Sequence, residues 1–316
     1  MLLMLDQISR HFREKLKVFF LTDNLLLNNK LIPLTQDKYQ EIKSHSEQKT
    51  IAYVDGGQAE IFTGGSLSLG FIRVFAQVMQ GTKRISSQKE EFFLFTSAVF
   101  RSGEIWYEGK LFSKTPFLHE QDLVISSNDN HIKIGQDRGS ITSLAAIARR
   151  LAELKLASTS KADYVLLDGL LEPRFPQEEK YVAACGPHIA GLAKSCSLFT
   201  TCGNSPVVLL QKMCPLQQGW SYEIQPGEYF VKLHQKAKHI FRFQGDTAML
   251  SALLKSSSDP LFLGYPYGLI IADKMARVSN EEKKSLQMKL LSREENREMA
   301  GYLRAMNAHE ILDGMG

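Results

Sequence analysis

Two apolar runs in this chain lead into the same dipeptide. Ala52-Tyr53-Val54 is followed by Asp55-Gly56-Gly57, and Tyr164-Val165-Leu166-Leu167 by Asp168-Gly169. A buried strand delivers a side chain to a fixed place at a sheet end. A following glycine lets the chain turn away and leaves room for a ligand. The pattern predicts short strands over residues 50–54 and 162–167, each closed by an Asp-Gly turn. One such ending is explained by the turn alone. Two of them on neighbouring strands would set two like charges side by side, which is costly unless a cation is shared. All-oxygen ligands point to Mg²⁺ or Mn²⁺.

The elements between the two aspartates narrow the fold. Residues 68–78, 91–100 and 104–112 are rich in β-branched and aromatic residues and predict strands. Residues 81–89 read as a polar connection and 113–139 as irregular chain. Residues 141–157 predict a helix, with Leu144, Ile147, Ala148, Leu151, Leu154 and Leu156 forming a broad apolar face. An Asp-bearing strand, a run of three strands, a helix and a second Asp-bearing strand is the order of RNase H-like α/β folds. That architecture makes the first and fourth strands adjacent and sets Asp55 beside Asp168. Glu153, late in the helix, is either a third carboxylate over the sheet edge or a solvated partner of Arg149 or Arg150. Three acids around one or two divalent ions form the usual phosphodiester-cleaving arrangement.

Outside this core, Leu5, Ile8, Phe12, Leu16 and Phe19 recur at helical spacing and predict an amphipathic N-terminal helix. Asp6, Arg10, Arg13, Glu14 and Lys15 interrupt it, which argues against a signal peptide. No apolar run reaches the ~20 residues of a membrane span. Residues 22–49 read as polar loop, giving an N-terminal segment over 1–49 and a main domain over 50–316. Further strands are expected at 189–193, 207–211 (VVLLQ), 228–234 and 239–243. Helices are expected at 269–277, at 280–291 with Ser279 as N-cap, and at 293–312. The 316 residues, 44% hydrophobic and 23% charged with a net charge of +4, describe a globular chain. They permit nucleic acid as a partner without demanding it. Cys185, Cys196, Cys202 and Cys214 lack the C-x-x-C spacing of a zinc ribbon and read as free thiols in a reducing cytoplasm; a disulfide between two of them stays open. No phosphate-binding P-loop and no G-x-S-x-G elbow occurs.

The ordered stretches AYVDGG (52–57), RRLAELKLA (149–157), ADYVLLDG (162–169), IAGLAKSCSL (189–198), YFVKLH and IFRF (229–243), GYPYGLIIADKMARVS (264–279) and NAHEILD (307–313) resemble the NurA family of DNA-end-processing nucleases. The resemblance spans nearly the whole chain after residue 50. It implies an RNase H-like core with N- and C-terminal helical extensions. It also implies a Mn²⁺-dependent 5′ to 3′ exonuclease and single-strand endonuclease, a homodimer, and partnership with a HerA-type hexameric DNA-translocating ATPase in double-strand break repair. Carried over by motif, Asp55, Glu153 and Asp168 bind metal, and His309 completes the site as a ligand or proton carrier. The family commonly reads DGS and DGSL where this chain has Gly57 and Leu170.

Secondary candidates have plain alternatives. Lys194 either neutralises a phosphate or is an ordinary surface lysine. Tyr229 either stacks on a base or is a half-buried strand tyrosine. Arg242, alternating with Phe241 and Phe243, either contacts nucleic acid backbone or is solvated. Asp273 is expected to be structural or near a dimer contact. His234 and His239 lack acidic or cysteine partners at ligand spacing, which excludes a metal site there. The rival functions are a non-catalytic scaffold that threads DNA and regulates the ATPase, and an RNase H-like enzyme acting on RNA or branched DNA.

Overall fold

The structure is a computed structural model that describes residues 1–17, 23–44, 49–296, 298 and 301. In chain order the elements begin with α1 (Leu2–Lys17), β1 (Asn24–Leu27), β2 (Lys30–Pro33) and β3 (Tyr39–Glu41). A run of long strands follows: β4 (Thr50–Thr63), β5 (Leu67–Gln80), β6 (Lys83–Arg101) and β7 (Glu104–Ser113), then the short β8 (Val124–Ser126). Next come α2 (Ser143–Ser158), β9 (Tyr164–Asp168), α3 (Glu178–Ala184), β10 (Ile189–Ala193), β11 (Phe199–Thr200) and α4 (Pro206–Met213). The last elements are β12 (Trp220–Gln225), β13 (Glu228–Lys232), β14 (Phe241–Gln244), α5 (Leu250–Ser256), α6 (Tyr267–Ala276) and α7 (Asn280–Leu291).

These elements form two compact units that alternate along the chain. The larger joins Ser46–Gly191 to Pro266–Gly316, and the smaller joins Met1–His45 to Leu192–Tyr265. Residues 1–45 thus fold with a later segment of the chain rather than alone.

The larger unit is a mixed sheet with the order β10-β9-β4-β5-β6-β7-β8. β4, β5, β6 and β7 are successive antiparallel neighbours, and β9 returns parallel to β4 on its other side. That order and sense is the RNase H-like arrangement expected from the sequence. α2 covers one face. Leu144, Ile147, Ala148, Leu151 and Leu154 pack on Ala52, Val54, Ile72, Val74, Ala76, Phe92 and Leu94. No side chain caps the helix start at Thr142, so packing holds it; each buried Leu or Ile there contributes about 1.5–3 kcal/mol. α6 covers the other face. A side chain at Gly268 would run into the Tyr53 ring, and one at Gly57 into the Ala276 carbonyl. α7 follows with Ser279 as its N-cap, accepting from the Glu282 amide at 3.1 Å as expected.

In the smaller unit, β1 and β2 form a hairpin with β11 beside β1. β12, β13 and β14 form an antiparallel meander, with β3 on β12. Leu25, Leu209, Leu210, Met213, Trp220, Tyr222 and Phe230 fill its core.

Several expectations are corrected. Residues 207–211 form part of a helix, α4. Pro206 sits in its first turn, and Pro206, Leu209, Leu210 and Met213 are buried at helical spacing. Residues 24–41 are not a loop but hold β1, β2 and β3. β12 was not expected, although the alternation of Trp220, Tyr222 and Ile224, all buried, is a strand signal. Residues 83–89 are not a connection: they are the exposed start of β6, paired to β5 after a turn at Gly81-Thr82. The helix expected at 293–312 begins with a short 3-10 turn, Glu294–Asn296, and most of the rest lies outside the described residues. α1 forms over Leu2–Lys17, with Met4, Leu5, Ile8 and Phe12 exposed; Phe19 of the expected apolar stripe lies outside the described residues. All four cysteines are free thiols. No helix among the described residues is long and apolar enough to cross a membrane.

Candidate active site

Asp55 does not end its strand. β4 runs eight residues past it, and Gly56 and Gly57 lie extended, paired with Val74 and Arg73. Neither glycine has a positive φ. They are required because two neighbours approach closely, one on each face. A Cβ at Gly56 would stand 2.6 Å from Glu153 Oε1 and 2.9 Å from Arg149 Cγ. Gly57 is covered by the α6 backbone at Ala276, so the serine common in the resembled family has no room here. Asp168 does end β9, and Gly169 turns the chain at φ 94°. The middle of β10 backs that turn: a Cβ at Gly191 would strike the Gly169 carbonyl.

The two aspartates are level. The parallel register pairs Tyr53 with Leu166 and Val54 with Leu167, so Asp55 and Asp168 are the next residues on adjacent strands. Their Cα atoms are therefore about 5 Å apart. Val54 and Leu167 face α2. By alternation Asp55 and Asp168 face the α6 side, where Tyr53 and Gly57 touch the helix on either side of Asp55. Asp55 is 8% exposed, and its Oδ1 accepts from the Gly56 amide at 2.8 Å.

Glu153 reaches this place from the opposite face. It is buried on α2, against Gly56. Arg149 Nη1 stands 3.3 Å from its Oε1, and Arg150 Nη1 stands 3.6 Å from its Oε2. Oε1 has no hydrogen-bond partner among the described residues. Burial pushes the Glu153 carboxyl up to about 7; the two arginines oppose the shift, and the charges of Asp55 and Asp168 add to it. Of the two sequence alternatives for Glu153, the arginine pairing is present in part. It pairs with Arg149 and Arg150, but in the interior rather than in solvent. It also feels both aspartates, yet the closed three-acid cluster is not formed: among the described residues no three His, Cys, Asp or Glu side chains stand at metal-ligand spacing.

The arginines also fix the backbone around the acids. Arg149 Nη1 donates to the Gly56 carbonyl at 2.9 Å. Arg150 donates to the Leu170 carbonyl at 2.8 Å and to the fully buried Glu178 at 2.6 Å. Glu178 in turn accepts from the Arg174 and Phe175 amides. This network holds the segment after Asp168, and no motif or spacing marks Glu178's part in it.

The secondary candidates fall in the smaller unit. Lys194, just past β10, is exposed, with its Nζ 5.4 Å from the Tyr265 ring centroid. Tyr229 is half-buried on β13 near Phe243, as its plain alternative had it. Arg242 is corrected: it is neither solvated nor at the surface, but buried in an ion pair with Glu228. His239 stacks on Phe262. In the larger unit, Asp273 is half-buried and accepts from Arg277 one helical turn on. His309 lies outside the described residues.

With its helix-covered sheet and an acid on each of two adjacent parallel strands, the larger unit has the plan of an RNase H-like domain. The chain is similar to the solved NurA nuclease from Sulfolobus solfataricus, the family its motifs resemble: TM-score 0.45 at 14% identity, covering 81% of this chain and 88% of that one. It is similar to endonuclease V from Ciona intestinalis, solved with an inosine-containing DNA: TM-score 0.39, 14% identity, 77% and 89% covered. Human ENDOV gives a TM-score of 0.39 at 9% identity, with 76% and 86% covered. No protein-family model and no curated protein sequence matches the chain.

Proposed function

We propose that the chain is a divalent-metal-dependent nuclease that hydrolyses phosphodiester bonds, with Asp55 and Asp168 as its central ligands. The observation that carries this reading is their register: two carboxylates level on adjacent strands, on one face, where β9 stops and β4 continues. The donor set suits Mn²⁺ or Mg²⁺. The buried Glu153 Oε1, without a hydrogen bond and beside the bare Gly56, suits a third ligand.

When bound, such an ion supplies a nucleophilic water near neutral pH and neutralises charge on the scissile phosphate. The chain's own part is positional. The Gly56 amide orients the Asp55 carboxylate. Arg150 and Glu178 hold the turn after Asp168 through Leu170. α6 packs on Tyr53 and Gly57, the residues that flank Asp55 on its own face. His309, carried from the motif NAHEILD, is assigned the remaining ligand or proton-carrier role.

The motif series extends the reading to DNA ends as substrate, a homodimer, a HerA-type ATPase as partner and the cytoplasm as location. The arginine pair around Glu153 favours a second reading of that residue alone: a buried counter-ion that positions Gly56, leaving a two-aspartate site.

Incubation of the chain with end-labelled single-stranded and duplex DNA, with Mn²⁺ or with chelator, tests the function. Metal-dependent cleavage abolished by Asp55→Asn is expected. Cleavage untouched by that change would remove the site assignment. No cleavage by the chain with or without a translocating ATPase would favour the scaffold. If Glu153→Gln lowers Mn²⁺ affinity in calorimetry, Glu153 is a ligand; if it lowers only stability, it is the counter-ion.

A further inference from the structure

The first seven residues of β6, Lys83 to Lys89, are exposed, and β7 pairs only from Phe92 onward. This piece is an edge ribbon of the sheet: it pairs with β5, β5 pairs in turn with β4, and its other side pairs with no strand among the described residues. Its charge has one sign. From residue 61 to residue 89 the chain carries Arg73, Lys83, Arg84 and Lys89 and no acid.

The ribbon contains a β-bulge. Arg84 pairs with Met79, but Ser86 pairs with Val78, so Ile85 is an extra residue. The buried Gln77 pins the bulge, its Nε2 donating to the Ser86 carbonyl at 2.7 Å and to the Val78 carbonyl at 3.2 Å. In a regular strand Arg84 and Lys89, five positions apart, would point to opposite faces. Here they sit opposite Met79 and Phe75, four apart on β5, and therefore share a face. It is the face of the two aspartates, because Asp55 pairs with Phe75 and is level with Asp168. Asp168, Asp55, Phe75 and Lys89 form one row across four strands, which sets Lys89 about 10 Å from Asp55. Arg84 stands about 13 Å further along the ribbon. Lys83, opposite Gln80, belongs to the other face. Bulges near sites commonly re-aim a side chain in this way.

We propose that Arg84 and Lys89 bind the phosphodiester backbone of nucleic acid running along the ribbon, with the Ile85 bulge serving to bring both cations onto the face of the aspartates. The proposal rests on the nuclease reading for its choice of ligand, but not for its geometry. Acids on that side are already engaged: Glu91 takes Arg73 at 2.6 Å and Lys89 at 3.1 Å. Glu90 pairs with Val74 and faces α2. Lys89 keeps half its side chain in solvent and can exchange Glu91 for a phosphate. The plain alternative makes all three cations equivalent guards of an open strand edge.

Anisotropy titrations of the full chain with fluorescein-labelled 30-nucleotide single-stranded and 30-base-pair duplex DNA, in chelator and over a salt series, separate the two. Arg84→Gln and Lys89→Gln are each expected to lower the log–log salt slope by about 0.9 on duplex or 0.7 on single strand. That corresponds to roughly 8-fold or 5-fold weaker binding at 0.1 M salt. Lys83→Gln is expected to change binding less than 2-fold. Equal losses from all three, or no loss from Arg84→Gln and Lys89→Gln, overturn the proposal. The slope identifies which nucleic acid form the ribbon contacts. The readout is independent of cleavage: a chain that binds in this pattern but cuts nothing retains the ribbon and loses the nuclease reading.

Discussion

The two Asp-Gly dipeptides are alike in sequence and unlike in structure. Asp168-Gly169 ends a strand, and Gly169 is needed for its left-handed φ of 94°. Asp55-Gly56 lies inside a strand, and Gly56 is needed because Glu153 and Arg149 lie where its side chain would be. One glycine answers a demand of the backbone, the other a demand of packing. The same dipeptide thus builds the site from two directions, one aspartate at the end of a strand and one set level with it by a strand that continues.

If both aspartates serve one ion, Asp55→Asn and Asp168→Asn should each lower cleavage about a thousandfold, the loss of several kcal/mol of charge stabilisation, with the fold intact by circular dichroism. A large effect of one and none of the other would break their equivalence. Gly57→Ser places the serine common in the resembled family against the α6 backbone, and should lower stability by about 3 kcal/mol in urea unfolding. Unchanged stability would show that α6 yields. Gly56→Ala meets side-chain atoms that can shift, and should cost about 1–2 kcal/mol while disturbing Glu153. Gly169→Ala meets nothing within 4 Å and should cost only about 1 kcal/mol, from φ alone.

A pH series adds a sharper test of the Gly56 side. The Glu153 carboxyl is raised from 4.5 to about 7 in the fold. Between these values the folded chain holds more protons than the unfolded one, so in chelator stability should fall as pH rises from about 4.5 to 7 and then level off. The loss is on the order of 3 kcal/mol. Glu153→Gln should flatten the curve, and Mn²⁺, which favours the ionised form, should reduce the slope. A metal-free stability that rises across this window would contradict the burial of Glu153.

The order of elements around the site was legible because hydrophobic runs mark strands and a broad apolar face marks α2. The level pairing of Asp55 and Asp168 followed from that order alone. The continuation of β4 was not legible, since glycine in extended chain and glycine in a turn read alike. The ribbon at residues 83–89 was missed because a strand exposed on both faces shows no hydrophobic alternation. α4 was misread because Val207 and Val208 favour strands, while its buried spacing is helical. Arg242 looked like a surface cation because its partner Glu228 lies on another strand.

The face of β4 that carries Tyr53 and Gly57 is covered by α6, and Arg73 on β5 is held by Glu282 of α7. On a ribosome, β5 is complete about 190 residues before α6 emerges. At roughly 5–20 residues per second that face waits about 10–40 s for its cover. A nascent chain in this interval exposes Tyr53, Phe75 and Met79, residues buried in the finished fold. Yield from fast, crowded synthesis should therefore depend on chaperone supply more than the stability of the completed protein would suggest.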